Sequence, residues 1–203
     1  MNMFNESIDG GFRKAQKEAT AVKILEAAKE IFEKEGYEKA NIRKIAKKAG
    51  VAPGSVMHHF GDKQSLLHSA LYDDLETVLE NTLSKFGKGS LKNDLNALTK
   101  AVFQYYQKKP NLSRILLKES LFAEPPWSLK FAGQTGKVHQ AIVQICEKAK
   151  RNGSVRKDID CSIFAVSYLS FFYFNLIAWV QGAYETPVHL VNRLTEEYIK
   201  LIQ

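Results

Sequence analysis

Four cations, Arg43, Lys44, Lys47 and Lys48, crowd a stretch of six residues, and the residues after them carry small, hydroxyl and imidazole groups: the chain from Asn41 to Lys63 reads NIRKIAKKAGVAPGSVMHHFGDK. Such a set suits a polyanion, because guanidinium and ammonium groups attract phosphate while Ser and His add directional hydrogen bonds. The run RKIAKK alone would be an ordinary solvated helix face, so its neighbours decide its meaning. His58, His59 and His68 make a poor metal set. Adjacent helical side chains diverge by about 100°, and no Cys or carboxylate completes the ligands. GQTGK at 133–137 mimics a phosphate loop, but its glycines are too close, Val138 stands where Ser or Thr is needed, and no strand precedes it. No GxSxG, HExxH or Cys–His pairing suggests catalysis, so the expectation is a non-enzyme without metal or cofactor.

The elements that must carry the basic cluster are legible from spacing. Ile42, Ile45, Ala46 and Ala49 repeat at three and four residues and line one face of a short helix. Gly50 can turn with positive φ, and Val51 plugs the corner. A second short helix from about Pro53 to Phe60 turns Val56 and Phe60 inward. Ala46 is small where two crossing helices approach. Together these spacings predict a helix-turn-helix whose second helix enters a DNA major groove. An amphipathic helix from Lys17 to Glu35 precedes it, with Ile24, Leu25, Ala28, Ile31 and Phe32 inward and Gly36 ending it.

The whole chain agrees. Its 203 residues carry a formal charge of +7, with 45% apolar residues. Residues 1–63 hold 12 Lys and Arg against 9 Asp and Glu, so the basic character is local to the candidate DNA face. Cys146 and Cys161 read as free thiols of a reducing compartment, and no secretory signal precedes the first helix; the expected location is the cytoplasm. The span from Cys161 to Tyr184 has no charge and is long enough to cross a bilayer. Ser162, Ser167, Ser170, Asn175 and Gln181 interrupt it, so a bundle helix is expected instead of a membrane contact. No segment alternates with period 2. The expected architecture is all-α, with a flexible arm over 1–16, a DNA-binding helix-turn-helix domain over 17–62, and a helical bundle for ligand binding and dimerisation over 63–203. Further helices are expected at about 91–109, 111–123, 129–152, 158–182 and 187–201, after a long helix from Asp62 to about Phe86.

The second half is rich in aromatics, and a concave apolar site needs a few polar groups among them. Phe103, Phe122, Trp127, Phe131, His139, Tyr168, Phe171 and Asn175 are the candidates for an apolar or aromatic effector. The last two helices carry more apolar surface than one subunit can cover. Phe172, Leu176, Trp179 and Val180 with Leu190, Leu194, Tyr198 and Ile199 suggest a homodimer through these two helices.

Over roughly residues 20–72 the sequence resembles the TetR family of bacterial transcriptional regulators, matching it at Phe32, Gly36, Tyr37, Arg43, Ile45, Ala46, Gly50, Val51, His59, Phe60, Lys63 and Leu67. The resemblance implies a homodimeric regulator, usually a repressor, that leaves a palindromic double-stranded operator when a small molecule binds the C-terminal bundle. It implies that Arg43 and Lys44 reach DNA, that Pro53, Gly54, Ser55 and His58 face base edges, and that Asn41, His59 and Lys63 hold phosphates. The chemistry fits, since Arg43 can grip guanine bidentately and Pro53 can touch a thymine methyl. Two departures bear on readout: Met57 stands where the family usually has Tyr, and Ala52 replaces the usual polar cap. An activator would need the same DNA head, and a helical module that senses a small molecule without repressing is the other alternative.

Overall fold

The computed structural model describes residues 3–183, 185 and 187–203, with backbone only for residues 3–10. The described residues form helices and no strands. They divide into two compact units, residues 1–72 and residues 73–203.

The first unit holds α1 (Met3–Glu35), α2 (Ile42–Ala49), α3 (Pro53–Phe60) and the start of α4 (Lys63–Leu83). Ile24, Ala28 and Phe32 of α1 meet Ile45 and Ala46 of α2 and Val56 of α3 in a core that excludes water. Phe32 also packs against Tyr37, ring centroids 5.7 Å apart. Two boundaries differ from expectation. Of the span expected as a flexible arm, residues 3–16 are helical, because α1 begins at Met3, fourteen residues before Lys17, while residues 1 and 2 lie outside the described residues. Gly10 and Gly11 cost a helix only about 1 kcal/mol each, and no proline interrupts it. Side chains 11–19 are nonetheless all exposed. The units part after Tyr72, inside α4, because Leu66, Leu67, Ala70 and Leu71 are buried in the core of the first.

The second unit contains the rest of α4 with α5 (Leu91–Lys108), α6 (Pro110–Leu121), α7 (Trp127–Arg151), α8 (Cys161–Val180) and α9 (Pro187–Lys200). Caps set these ends. Ser90 accepts from the Asn93 amide, and Asp160 accepts from the Ser162 and Ile163 amides at 2.8 and 3.0 Å. Helix α8 packs against α6, α7 and α9 and is apolar on every side. By length and composition alone it could cross a membrane; in the bundle Phe164, Ala165, Tyr168, Phe172 and Leu176 are buried. Cys146 and Cys161 are buried free thiols whose pKa values burial raises.

Candidate functional site

Helix α2 starts at Asn41, whose side chain accepts from the Lys44 amide at 2.9 Å. It ends at Gly50, held at φ 69° and ψ 32°, whose N–H bonds the carbonyls of Ala46 and Lys47. Only a residue without Cβ takes that left-handed turn at no cost. Val51 then donates to Ala46 at 3.0 Å and launches α3. Helix α3 has no side-chain cap at Ala52, and Pro53 fills its first turn. Pro53, Gly54 and His58 are exposed and Ser55 is half-buried, so the helix presents a small-residue face with its N-terminal amides towards solvent. His59 is half-buried between His58 and Phe60, ring centroids 5.9 and 6.0 Å away. Burial, then the fields of His58 and Lys17, push its pKa below the usual 6.5.

The cations are not equivalent. Arg43 and Lys47 are exposed and hold no ion pair among the described residues. Lys44 pairs with Glu35 at 2.5 Å and Lys48 with Glu30 at 2.6 Å, so α1 partly neutralises this helix. Lys63 is a clamp. Its ammonium donates to the Tyr37 carbonyl at 3.0 Å and the Ala40 carbonyl at 3.2 Å and lies 4.2 Å over the Tyr37 ring. It ties the start of α4 to the turn between α1 and α2, and leaves one donor for anything else. His68, considered with His58 and His59 as a metal set, is buried in α4.

In the second unit, α4–α8 line a partly open cavity of about 370 Å³. Its walls are Leu75 and Leu79 of α4, Leu98, Val102 and Tyr106 of α5, Leu116, Leu117 and Leu121 of α6, Phe131, Gln134, Thr135 and Val138 of α7, and Leu169, Phe172, Tyr173 and Leu176 of α8. No charged side chain lines it. Its polar groups are hydroxyls and one amide: the Thr135 hydroxyl lies 3.3 Å from that of Tyr173, and burial raises the pKa of the Tyr106 phenol, which stays neutral. Just outside the wall, Glu76 of α4 pairs with Lys137 of α7. A second cavity of about 340 Å³ carries charged groups: Lys92 pairs with Glu196, Lys200 with Glu197, Lys148 donates to the Gly87 carbonyl, and Asp94 accepts from the Gly87 amide.

Of the eight effector residues expected from sequence, Phe131 alone lines the apolar cavity. Phe103 is core, packed edge-on against Phe172 and Trp179 at 5.4 and 5.9 Å. The Tyr168 hydroxyl is committed to the Leu95 carbonyl and the Thr99 hydroxyl at 3.1 and 2.9 Å. Phe171 packs on Tyr168 and Tyr198. Asn175 is buried and donates to the Phe171 carbonyl at 2.7 Å. Trp127 sits under the Lys130 ammonium at 4.0 Å, His139 is 3.3 Å from the Ser162 hydroxyl, and Phe122 is 83% exposed. The wall is mostly aliphatic. The residues expected at a dimer face are spread over several environments. Phe172 and Leu176 face the cavity, Ile199 is buried, Tyr198 stacks on Phe164 at 5.2 Å, and Trp179 covers Phe103. On α8 and α9 the exposed large apolar side chains are Ile163, Val166 and Phe174, one stripe of α8, and Leu194 of α9, with Leu201 just beyond it.

A bare-tipped second helix behind a basic first one, held by a left-handed Gly corner, defines a helix-turn-helix DNA-binding protein. Residues 24–70 match the family model described as bacterial regulatory proteins, tetR family. The HTH-type transcriptional repressor AcnR of Corynebacterium efficiens is 27% identical over 146 residues, 69% of this chain and 71% of that one. The HTH-type transcriptional regulator UidR of Escherichia coli K12 is 37% identical over 60 residues, 30% of this chain and 31% of that one. A transcriptional regulator FadR from Bacillus subtilis, solved in complex with stearoyl-CoA, superposes with a TM-score of 0.74 at 21% identity over 90% of this chain and 99% of that one. Residues 24–70 thus match the DNA-binding region of the TetR family, and the protein is a DNA-binding transcriptional regulator.

Proposed function

We propose that the protein is a homodimeric, cytoplasmic repressor that leaves a palindromic operator when an uncharged, apolar effector, or the apolar part of a larger one, fills the 370 Å³ cavity. The observation that carries this reading is the lining: a concave, mostly apolar wall without a charged side chain, to which Leu75 and Leu79 of α4 contribute. The same helix supplies Leu66, Leu67, Ala70 and Leu71 to the head core. An effector that prefers one arrangement of the cavity wall therefore acts on a helix the head also uses. A coupling of about 1–3 kcal/mol would weaken operator binding about 5–150-fold. The repressor relative AcnR supports the sign of regulation, and the FadR structure with stearoyl-CoA supports a long apolar ligand in this fold.

In this reading Arg43, Pro53, Gly54, Ser55 and His58 read base edges, with Asn41, Lys44 and His59 at the phosphates. Lys63 acts mainly by positioning α4. The α8 stripe of Ile163, Val166 and Phe174, with Leu194, forms the dimer face that sets two recognition helices about 34 Å apart. The test is fluorescence anisotropy on an operator selected by the protein from random DNA, alongside thermal shift with alkyl and aryl compounds. Saturable binding that outcompetes random DNA, and is reversed by a compound that raises Tm, is the expected result. A compound that occupies the cavity and raises Tm yet leaves operator binding unchanged would overturn the release mechanism.

A further inference from the structure

The first turns of α1 are unexplained by the head core, since side chains 11–19 are all exposed. Their charge is lopsided: residues 11–23 hold Arg13, Lys14, Lys17 and Lys23 against Glu18 alone. Their facing is set by the buried part of the same helix. Ile24 is fully buried and points at the core that α1 shares with α2 and α3. Lys17 and Arg13 lie seven and eleven residues before it, which at 3.6 residues per turn places both within about 20° of its direction. The stripe that packs the head thus continues beyond the core as a cationic one, about 10 Å further at Lys17 and about 16 Å at Arg13. Glu18 points about 120° away from it. Lys17 is also close enough to the end of α3 for its charge to act on His59.

We propose that the exposed stretch 11–19 of α1 is a second DNA-binding element, in which Lys17 and Arg13 bind backbone phosphates flanking the segment that α3 reads. The proposal rests on the DNA-binding reading of the head. The occupant is DNA because the stripe is continuous with the recognition helix and complementary in charge to a duplex. The roughly 6 Å between Arg13 and Lys17 along the axis faces a strand with one phosphate per 3.4 Å of duplex. Such contacts carry no sequence information, and they widen the footprint beyond the half-site.

The test compares the full-length protein with Arg13→Gln/Lys17→Gln and with the charge-keeping Arg13→Lys/Lys17→Arg, by anisotropy from 50 to 300 mM salt. Two duplexes are used, the selected operator and a random sequence of equal length. Each phosphate that a side chain ceases to neutralise lowers the salt slope by about 0.9, so the Gln pair should reduce the slope by about 1.8 and the affinity about 30-fold at 0.15 M salt. The loss should be equal on both duplexes, and the charge-keeping pair should match the original protein. An unchanged slope in the Gln pair, while Arg43→Ala still weakens operator binding, would overturn the proposal and leave the head reading intact. An equal loss in the charge-keeping pair would also overturn it. If the original protein binds neither duplex, both readings fall.

Discussion

Replacing Lys63 by Met keeps the length of the side chain and removes its ammonium. Two hydrogen bonds from a cation to the carbonyls of Tyr37 and Ala40 disappear, together with the contact over the Tyr37 ring. Hydrogen bonds to charged groups contribute about 1.5–3 kcal/mol each and a cation–π contact about 0.5–2 kcal/mol, while a half-buried ammonium recovers desolvation energy when it is removed. The net loss should be about 2 kcal/mol, felt in the first unit. Hydrogen exchange measured by mass spectrometry is suited to it, because peptides covering residues 24–71 report that unit by itself. Exchange there should accelerate about 30-fold, since each 1.4 kcal/mol is a factor of ten. Peptides of α5–α9 should be unaffected. The salt slope for random DNA should fall by less than the value of one neutralised phosphate. Unchanged protection with a salt slope lower by about 0.9 would refute the reasoning, and would make Lys63 a phosphate ligand instead of a clamp.

Gly50→Ala should destabilise the head by about 1–2 kcal/mol, read as a lower urea midpoint; nothing lies within 4 Å of an added Cβ, so the cost is the left-handed backbone alone. A homologous series of alkyl ligands should gain about 0.8 kcal/mol, roughly fourfold in Kd, per methylene until the cavity is full, and calorimetry showing no dependence on chain length would remove the cavity from the effector's site. Because the pKa of His59 is depressed below 6.5 in the free protein, its imidazole is neutral at pH 7. Phosphate binding favours its charged form, so DNA affinity should rise as pH falls from 7 to 5.5, and His59→Asn should flatten that rise. Phe174→Asp, at a side chain 63% exposed, should leave the fold's circular dichroism unchanged and give a sedimentation mass of one chain.

The head was legible because each of its positions has one role. Ile45, Ala46 and Val56 can only be core at their spacing, Gly50 can only be the corner, and Pro53 to Phe60 is the helix observed. The clamp made by Lys63 was not legible, because its partners are carbonyls 23 and 26 residues away and a side-chain sequence says nothing of where main-chain oxygens gather. Helix α8 shows the other limit. Its faces do three jobs: Leu169, Phe172, Tyr173 and Leu176 at the cavity, Phe164 and Tyr168 in the core, Ile163, Val166 and Phe174 outside. All three are apolar, so periodicity assigns none of them. The cavity wall was missed for a related reason. Aliphatic residues at helical spacing look the same whether they touch a neighbour or line a void.

The uniform apolarity of α8 has a consequence during synthesis. As its 20 residues leave the ribosome they have the length and hydropathy of a bilayer-spanning segment. Two fates then compete for them: docking on α7, already made, with α9 still to follow, or capture by an insertion channel. Ser162 and Ser170 lie on the exposed side, Ser162 3.3 Å from the His139 ring and Ser170 donating to the Val166 carbonyl, and each raises the cost of entering lipid. Changing both to Leu would disturb no core packing and would raise the hydropathy of the segment further. The serines on the outer face of α8 thus lower the hydropathy of the emerging segment without entering the core.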